Sequence, residues 1–232
     1  MQTLKFFGNG SGFTDSHTNA YFIKGKSLVL IDLSMLNLYK VLALNPEKYS
    51  KVFIFVTHMH DDHVSGIGMF LQHMYYRFQK TVFIVAPFEV RSALQTEFTL
   101  KGLDSNCFVF KEPNKIKSLG IEAVAIKTKH APELEGQCFG YIFYIDGKKI
   151  VYSGDTNNLN DFLSFIKGKN IEFYLDVSVE YGRVHILFDD VKEKLEELAK
   201  DNEVFLMHID NMEKMKQLLE GTDIQIAKIG NW

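Results

Sequence analysis

The sequence predicts an α/β domain with a mixed sheet, in two layers of strands under helices. Short apolar runs that end at turn residues predict strands. They alternate with segments whose apolar residues recur at helical spacing. The pair Asp146–Gly147 between two apolar runs predicts a hairpin, because a type I′ turn needs positive φ at both central positions. Since no repeat, linker or low-complexity segment interrupts the chain, we predict a single domain over residues 1–232.

Seven segments have the composition of buried strands, being short apolar runs bounded by turn residues. In chain order they are Leu28–Asp32, Val52–Thr57, Val82–Ala86, Phe139–Ile145, Lys149–Ser153, Ile171–Ser178 and Val204–His208. Four further segments have helical periodicity, with apolar residues on one face and charged residues on the other in the clearest case. The predicted helices are Val64–Arg77, Phe88–Phe98, Asp189–Asp201 and Met212–Glu220.

The composition is that of a folded protein of ordinary size. With 232 residues, 46% hydrophobic residues and a net charge of −3, the chain differs from disordered, collagen-like and small disulfide-stabilised proteins. Its longest apolar runs, such as Val52–Val56, are far shorter than the about 18 residues of a transmembrane helix, so we expect no membrane contact. The weak negative charge argues against a long nucleic-acid track.

The N-terminal sequence and the cysteines bear on the cellular compartment. The first twenty residues lack the apolar segment of a secretory signal, so we expect a cytoplasmic location. Cys107 and Cys138 are far apart and form no Cys-x-x-Cys motif, which predicts reduced, buried thiols. Reduced thiols are the usual state in the cytosol.

A run of potential metal ligands follows the predicted strand Val52–Thr57. Three His and two Asp fall within His58-Met59-His60-Asp61-Asp62-His63. Imidazole and carboxylate suit zinc and similar transition metals, and open α/β sheets bind ligands at the carboxyl ends of their strands. His58 and His60 point to the same side of an extended segment, whereas Asp62 and His63 face a second point nearby. Two cations could therefore be held together.

Two cations need more ligands than this hexapeptide offers. Three isolated residues at strand ends could supply them: His130 after residues 121–129, Asp155 in Tyr-Ser-Gly-Asp-Thr, and His208 at the end of a buried strand. Each of them alone could simply cap a turn, but together with the hexapeptide they predict a metal centre. Asp61 alternates away from the ligand side, and we expect it to cap a helix or to support a ligand.

The order of these residues resembles the signature of the metallo-β-lactamase fold hydrolases. That signature is H-x-H-x-D-H, then a single His, a single Asp and a last His, and the resemblance covers essentially the whole chain. It implies an αββα four-layer sandwich that holds two divalent transition metals, usually zinc, with iron or manganese in some branches. The implied sets are His58, His60 and His130 for one metal and Asp62, His63 and His208 for the other, with Asp155 bridging both.

A centre of this kind predicts hydrolysis. A water shared by two cations about 3.5–4 Å apart loses a proton near neutral pH, and the cations neutralise charge that grows on substrate oxygens. The best-known zinc β-lactamases carry Cys or Ser where this chain has Asp155, so the chain is similar instead to the phosphodiesterase, glyoxalase II and lactonase branches.

Three short segments resemble the ribonuclease Z and phosphodiesterase branch: FFGNGSG at residues 6–12, YSGDT at residues 152–156, and Gly140-Tyr141. The glycines of the first segment also fit a tight turn between two strands. The short gap between His130 and Asp155 leaves no room for the tRNA-binding arm of ribonuclease Z. The resemblance therefore implies a member of that branch without the arm.

Asp62 and His185 are the candidate catalytic residues. His185 precedes the predicted helix Asp189–Asp201, at the place where ribonuclease Z-like enzymes carry a His that resembles a proton donor to the leaving oxygen. The loosely kept local sequence fits equally a His that only forms a hydrogen bond near the helix start. His17 and His73 have no such context, and we expect them to be structural or on the surface.

Three classes of function remain open. The favoured one is a binuclear metal-dependent phosphodiesterase that acts on a small or cyclic phosphoester. The others are a carboxylic ester, thioester or lactone hydrolase, and a metal-binding protein with a sensing or scaffold role. A positive pocket beside the metals, from Arg183 or a lysine, would favour phosphate, whereas an apolar pocket would favour an acyl group. We expect a small-molecule substrate as the partner, and the sequence is compatible with a homo-oligomer.

Overall fold

Two six-stranded β-sheets form the centre of the computed structural model, which describes residues 2–180 and 182–230. The first sheet comes from the N-terminal half of the chain. In spatial order its strands are β1 (Lys5–Gly8), β2 (Asn19–Lys24), β3 (Ser27–Ile31), β4 (Lys51–Phe55), β5 (Val82–Val85) and β6 (Phe108–Lys111).

The second sheet comes from the C-terminal half. Its strands, again in spatial order, are β7 (Ala123–Lys127), β8 (Phe139–Ile145), β9 (Lys148–Tyr152), β10 (Glu172–Asp176), β11 (Glu203–Met207) and β12 (Gln225–Ile226). In both sheets the first two strand pairs are antiparallel and the next three are parallel. The two halves therefore share one topology, a repetition that the sequence itself does not reveal.

Helices cover the outer face of each sheet. Four pack on the first sheet, namely α1 (Leu38–Ala43), α2 (Asp61–Val64), α3 (Ile67–Phe78) and α4 (Phe88–Leu100), and two on the second, namely α5 (Phe188–Ala199) and α6 (Met212–Leu218). Three apolar cores follow from this layering. One lies under each helical layer, and the third, rich in aromatic rings such as Phe55 and Phe143, lies between the sheets. The αββα sandwich is thus confirmed.

All seven predicted strands are present, with their ends shifted by a few residues at most. The predicted helix Val64–Arg77 is wrong in one respect, because the structure has two helices there, α2 and α3. They separate where Gly66 N donates to Leu33 O at 3.0 Å, and a Cβ on Gly66 would lie 2.6 Å from the Ser34 carbonyl oxygen. The predictions omitted β1, β2, β6, β12 and α1, which are short or lack a clean apolar period, and gave β7 only as the segment of residues 121–129 before His130.

Two local expectations have different outcomes. The Asp146–Gly147 hairpin is confirmed, with φ values of 51° and 81° between β8 and β9. The glycines at residues 8–12 do connect β1 to β2, but none of them has positive φ. Close approach explains them instead, since a Cβ on Gly8 would lie 2.5 Å from the His17 carbonyl oxygen.

Two further observations concern the thiols and the helices. Cys107 and Cys138 are buried and free, as expected. Within residues 2–180 and 182–230, every helix is too short or too polar to cross a membrane.

Candidate metal centre

The potential metal ligands lie where the carboxyl ends of strands from both sheets meet. The hexapeptide that begins at His58 follows β4 and continues into α2. His130, Asp155 and His208 follow β7, β9 and β11. Because parallel strands end at one edge of a sheet, residues that are distant in sequence converge there.

The structure brings all seven predicted ligands together. Their potential ligand atoms form two groups, and within each group all of these atoms lie within 4.8 Å of one another. One group is His58, His60, His130 and Asp155, and the other is Asp62, His63, Asp155 and His208. These are the two sets that the resemblance implied, with Asp155 common to both.

Asp155 is the centre of the arrangement. Its Oδ2 atom lies 3.3 Å from Nε2 of His208 and 3.4 Å from Nε2 of His63. The Nε2 atoms of His58 and His130 are each 3.7 Å away. The carboxylate is buried, so four imidazole nitrogens surround a single oxygen atom that is largely shielded from bulk water.

Hydrogen bonds behind the rings determine which nitrogen faces the centre. Nδ1 of His130 lies 2.7 Å from the carbonyl oxygen of Val184, which can only accept, so Nδ1 carries the proton. Nδ1 of His63 donates in the same way to Oδ2 of Asp32 at 2.8 Å. In the neutral ring the other nitrogen, Nε2, then keeps a lone pair that is available to a cation.

A short chain of hydrogen bonds orients His58. The Thr57 hydroxyl donates to Asp32 Oδ2 at 2.8 Å, so its oxygen accepts from Nδ1 of His58 at 3.0 Å. His60 differs from the other rings because it presents Nδ1, which is 3.0 Å from His58 Nε2 and 3.2 Å from His130 Nε2. Nδ1 of His60 can either donate a proton to one of these nitrogens or, without a proton, bind a cation together with both of them, so the three nitrogens fit a metal.

The charges of the carboxylates around the two groups also fit bound cations. Four buried or nearly buried carboxylates, those of Asp32, Asp62, Asp155 and Asp176, lie in or directly behind the two groups. Burial alone would lower the pKa of His208, but the carboxylates of Asp155 and Asp176 raise it to about 10. A buried charge is costly unless it is compensated. Protons on the histidines or divalent cations could compensate these carboxylates.

His185 also lies at the centre. Its Nδ1 is 2.7 Å from Asp176 Oδ2, and its ring centroid is 4.9 Å from that of His130 and 4.8 Å from that of His208. Burial would lower the pKa of His185, but the adjacent Asp176 carboxylate outweighs burial and raises it. The sequence-predicted catalytic residues Asp62 and His185 are therefore both at the site, while their roles stay predictions.

A cavity of about 460 Å³ opens over both groups. Its walls include His60, Asp62, Asp155, His185 and His208 together with the loop from Ser11 to Phe13. The cavity is large enough for a small molecule.

Asp61, His17 and His73 belong to neither group of potential ligands. Asp61 is the first residue of α2 and His60 precedes it, so Asp61 does not cap the helix, which was one of the two roles expected of it. His17 lies in the cavity wall, where Nε2 is 3.2 Å from the Gly12 carbonyl oxygen. His73 lies on α3 beside Phe78, with ring centroids 5.6 Å apart.

Sequence reasoning missed the two carboxylates behind the metal ligands. Asp32 follows β3 and binds His63, whereas Asp176 ends β10 and binds His185. A signal did exist, since Asp32 ends the predicted strand Leu28–Asp32 and Asp176 follows the apolar residues Phe173–Leu175 inside the predicted strand Ile171–Ser178. Asp32 also has a φ of 58°, a conformation that is uncommon outside glycine and that often marks functional positions.

Almost the whole chain matches one known protein family. The family described as Anti-Pycsar protein Apyc1 matches residues 2–231. The chain belongs to this Anti-Pycsar Apyc1 family. No curated protein is significantly similar to the chain in sequence.

Solved structures show the fold of this Apyc1 family member. YhfI from Bacillus subtilis, a metallo-β-lactamase fold protein, is 18% identical with a TM-score of 0.76 over 99% of this chain and 98% of its own. A diphosphatase of the PhnP family is 18% identical, with a TM-score of 0.73 over 98% and 95%. Human tRNase Z, short form, is 14% identical, with a TM-score of 0.66 over 90% and 93%. The chain thus has the metallo-β-lactamase fold, as the resemblance implied.

Proposed function

We propose that the chain is a binuclear metal-dependent hydrolase, and specifically a phosphodiesterase that cleaves a small or cyclic phosphoester. The observation that carries this proposal is the position of Asp155, whose Oδ2 lies 3.3 to 3.7 Å from four imidazole nitrogens. One carboxylate there could bridge two cations. Two divalent ions, most simply zinc with iron or manganese as alternatives, would supply an activated water and neutralise charge on the phosphoester.

The chain's own residues would prepare this chemistry. Asp32 and the Val184 carbonyl hold protons on the far nitrogens of His63 and His130, which directs their lone pairs inward. Asp176 fixes His185 through Nδ1, so the proton that His185 can give to a leaving oxygen is the one on Nε2. The raised pKa of His185 favours the presence of that proton near neutral pH. General acid catalysis of this kind supplies roughly 10²–10⁴-fold.

A second cavity next to the centre offers cationic groups that a phosphate substrate could use. This cavity, of about 560 Å³, adjoins the centre at His130 and is lined by Lys127 and Lys129. Its other charged residues are Glu135 and Asp161, and Asp161 already accepts hydrogen bonds from Asn158 and the Lys129 amide. Lys127 and Lys129 of this adjoining cavity are the candidate cationic groups for a phosphate substrate, since neither a lysine nor Arg183 lines the metal cavity itself.

An acyl hydrolase that cleaves a carboxylic ester, thioester or lactone is the second candidate. The observation in its favour is the apolar part of the metal cavity, which Phe13, Ala131 and Val184 provide. A purely sensing or scaffold role is less well supported, because all seven potential ligands are present and face one another. The names of two structural neighbours, a diphosphatase and a tRNase, agree with phosphate chemistry.

A substrate panel tests the proposal. The chain loaded with Zn²⁺ or Mn²⁺ should hydrolyse bis(p-nitrophenyl) phosphate or a cyclic nucleotide at least about 100 times faster than a thioester or a lactone. Cleavage of the thioester or lactone alone would replace the phosphodiesterase assignment with the acyl one.

The leaving group tests the role of His185. His185→Ala should slow cleavage of an alkyl or nucleoside phosphodiester by roughly 10²–10⁴-fold. It should leave an aryl phosphodiester nearly unaffected, because p-nitrophenoxide departs without a proton. His73→Ala, on α3, is the matched control. Equal losses on both substrates would indicate a binding or structural role for His185 instead.

A further inference from the structure

The segment between β1 and β2 lies against one of the two groups of potential ligands. We call these the His58 group (His58, His60, His130 and Asp155) and the Asp62 group (Asp62, His63, Asp155 and His208). Ile209, directly after His208, donates its amide to the Asn9 carbonyl oxygen at 3.0 Å and accepts at its carbonyl oxygen from Ser11 N at 3.1 Å. The segment is therefore bound to the backbone beside the last ligand of the Asp62 group.

Thr18, at the end of this segment, holds the backbone of His208 itself. Its buried hydroxyl accepts a hydrogen bond from the His208 amide at 3.0 Å and donates one to the Gly10 carbonyl oxygen at 2.9 Å. His208 has a φ of 60°, a left-handed conformation that is uncommon and unfavourable for a residue with a Cβ. Such a conformation persists only where the surrounding structure imposes it. The Thr18 hydroxyl is thus one of the groups that keep His208 in place.

Asn19, the first residue of β2, holds the backbone of Asp62. Its buried side chain donates from Nδ2 to the carbonyl oxygens of Asp62 at 3.1 Å and Thr18 at 2.7 Å. Its Oδ1 accepts from Ser34 N at 2.9 Å and from Asn37 Nδ2 at 2.7 Å. All the hydrogen-bonding positions of the amide are therefore used, and the reversed orientation would set donor against donor and acceptor against acceptor.

The same segment also limits the carboxylate of Asp62. Its Oδ2 lies 3.1 Å from Nε2 of His63 and 3.2 Å from Nε2 of His208. A Cβ on Gly12 would lie 2.9 Å from this carboxylate, so a larger residue there would displace it. His17 Nε2 donates to the Gly12 carbonyl oxygen at 3.2 Å and fixes the loop from the other side. Both the backbone and the side chain of Asp62 are therefore positioned from residues 9–19.

Other parts of the chain hold the His58 group. Nδ1 of His58 donates to the Thr57 hydroxyl at 3.0 Å, and Nδ1 of His130 donates to the Val184 carbonyl oxygen at 2.7 Å. Among the residues that the structure describes, no hydrogen bond joins residues 9–19 to a histidine of the His58 group. A disturbance of the segment should therefore reach the Asp62 group first.

We infer that Thr18 and Asn19 are positioning residues for the cation of the Asp62 group. Thr18 acts through the amide of His208 and Asn19 through the carbonyl of Asp62, and neither side chain would contact the ion. Loss of either should weaken one cation and spare the other. This inference rests on the proposed function, because it assigns what holds the second of the two proposed ions.

Metal binding tests the inference without turnover. Thr18→Val removes the hydroxyl and keeps the branched shape, whereas Asn19→Asp puts an oxygen where Nδ2 now donates to the Asp62 carbonyl. In Zn²⁺ titrations against a competing chelator, each variant should bind one ion about 10- to 100-fold more weakly, the usual effect of losing support behind a ligand. The other ion should stay within about 3-fold. Thr18→Ser, which returns a hydroxyl, should restore the weakened ion.

X-ray absorption at the zinc edge identifies the ion that remains. The His58 group offers three imidazoles and the Asp62 group offers two. A Thr18→Val or Asn19→Asp chain that holds a single ion should therefore show three imidazole ligands. Unfolding of a variant would release both ions together, so a selective loss of one ion cannot come from a general loss of structure.

The matched control is Thr3→Val, which removes a hydroxyl that donates to the buried Glu172 at 2.7 Å, at the amino-terminal end of β10. It should leave both ions bound. If Thr18→Val and Asn19→Asp keep both ions, lose both equally, or keep one with two imidazoles, the positioning role is wrong. An unmodified chain that binds fewer than two ions contradicts this role and the binuclear proposal together. If the variants lose one ion selectively but the unmodified chain hydrolyses no phosphodiester, the positioning role stands and the phosphodiesterase proposal fails.

Discussion

Asp32→Asn should weaken metal binding although Asp32 contacts no metal position directly. The buried Asp32 carboxylate accepts three hydrogen bonds of 2.8 Å, two from Thr57 and one from Nδ1 of His63. An asparagine keeps one acceptor oxygen and adds an NH₂ group. If that NH₂ group faces His63, Nδ1 must become the acceptor, and the ring proton moves to Nε2, where a cation would bind.

The size of the effect follows from these contacts. Loss of a hydrogen-bonding partner behind a metal-binding imidazole costs typically 10- to 100-fold in metal affinity. A hydrogen bond to a charged group is worth about 1.5–3 kcal/mol, so we also expect the free energy of unfolding to fall by roughly that amount. If the NH₂ group faces the Thr57 amide instead, two donors meet, and the loss of stability is of the same order.

Competition with a metal chelator and denaturant unfolding measure the two effects. The variant should release Zn²⁺ at a 10- to 100-fold lower chelator concentration than the unmodified chain. Asp223→Asn, at an exposed position, is the matched control and should change neither quantity. An Asp32→Asn chain that holds its metals with unchanged affinity would refute the argument that Asp32 sets the tautomer of His63.

Four further tests distinguish residues that serve the metal centre from residues that only stabilise the fold. Mass-spectrometric metal analysis of the reconstituted chain should give two divalent ions per chain, and a result of none would contradict the ligand assignment. Asp155→Ala should abolish most activity while circular dichroism shows a retained fold, and an active variant with normal metal content would exclude a bridging role. Gly12→Ala should lower activity at least about 10-fold, because its Cβ meets the Asp62 carboxylate, and unchanged kinetics would contradict this. Glu172→Gln, at the amino-terminal end of β10, should reduce stability by about 1–3 kcal/mol with activity unchanged, since the buried Glu172 binds Lys148 and Tyr174.

Features that depend on neighbouring residues in the chain could be predicted from the sequence. The predicted ligands His58, His60, Asp62 and His63 could be grouped from sequence because a strand followed by a turn fixes their relative directions within six residues. The strands themselves could be found because an apolar run bounded by turn residues is a local property. The ordered signature then added His130, Asp155 and His208 as an expectation.

Other features depend on where separate segments meet, and no local pattern encodes that. Asp32, which follows β3, binds the ring of His63 in α2, and Asp176, which ends β10, binds the ring of His185 nine residues later in the chain. The split of α2 from α3 depends on contact with the Leu33 backbone.

The sequence by itself determined which chemical groups the candidate centre contains, because residue type and order place imidazole and carboxylate side chains at strand ends. The tertiary structure alone decided which nitrogen of each ring faces inward, and it alone placed an exposed Phe13 over the cavity. Tautomers are set by hydrogen bonds between distant segments, and the cavity exists only where the two sheets end together. Neither is a property of any one segment of the chain.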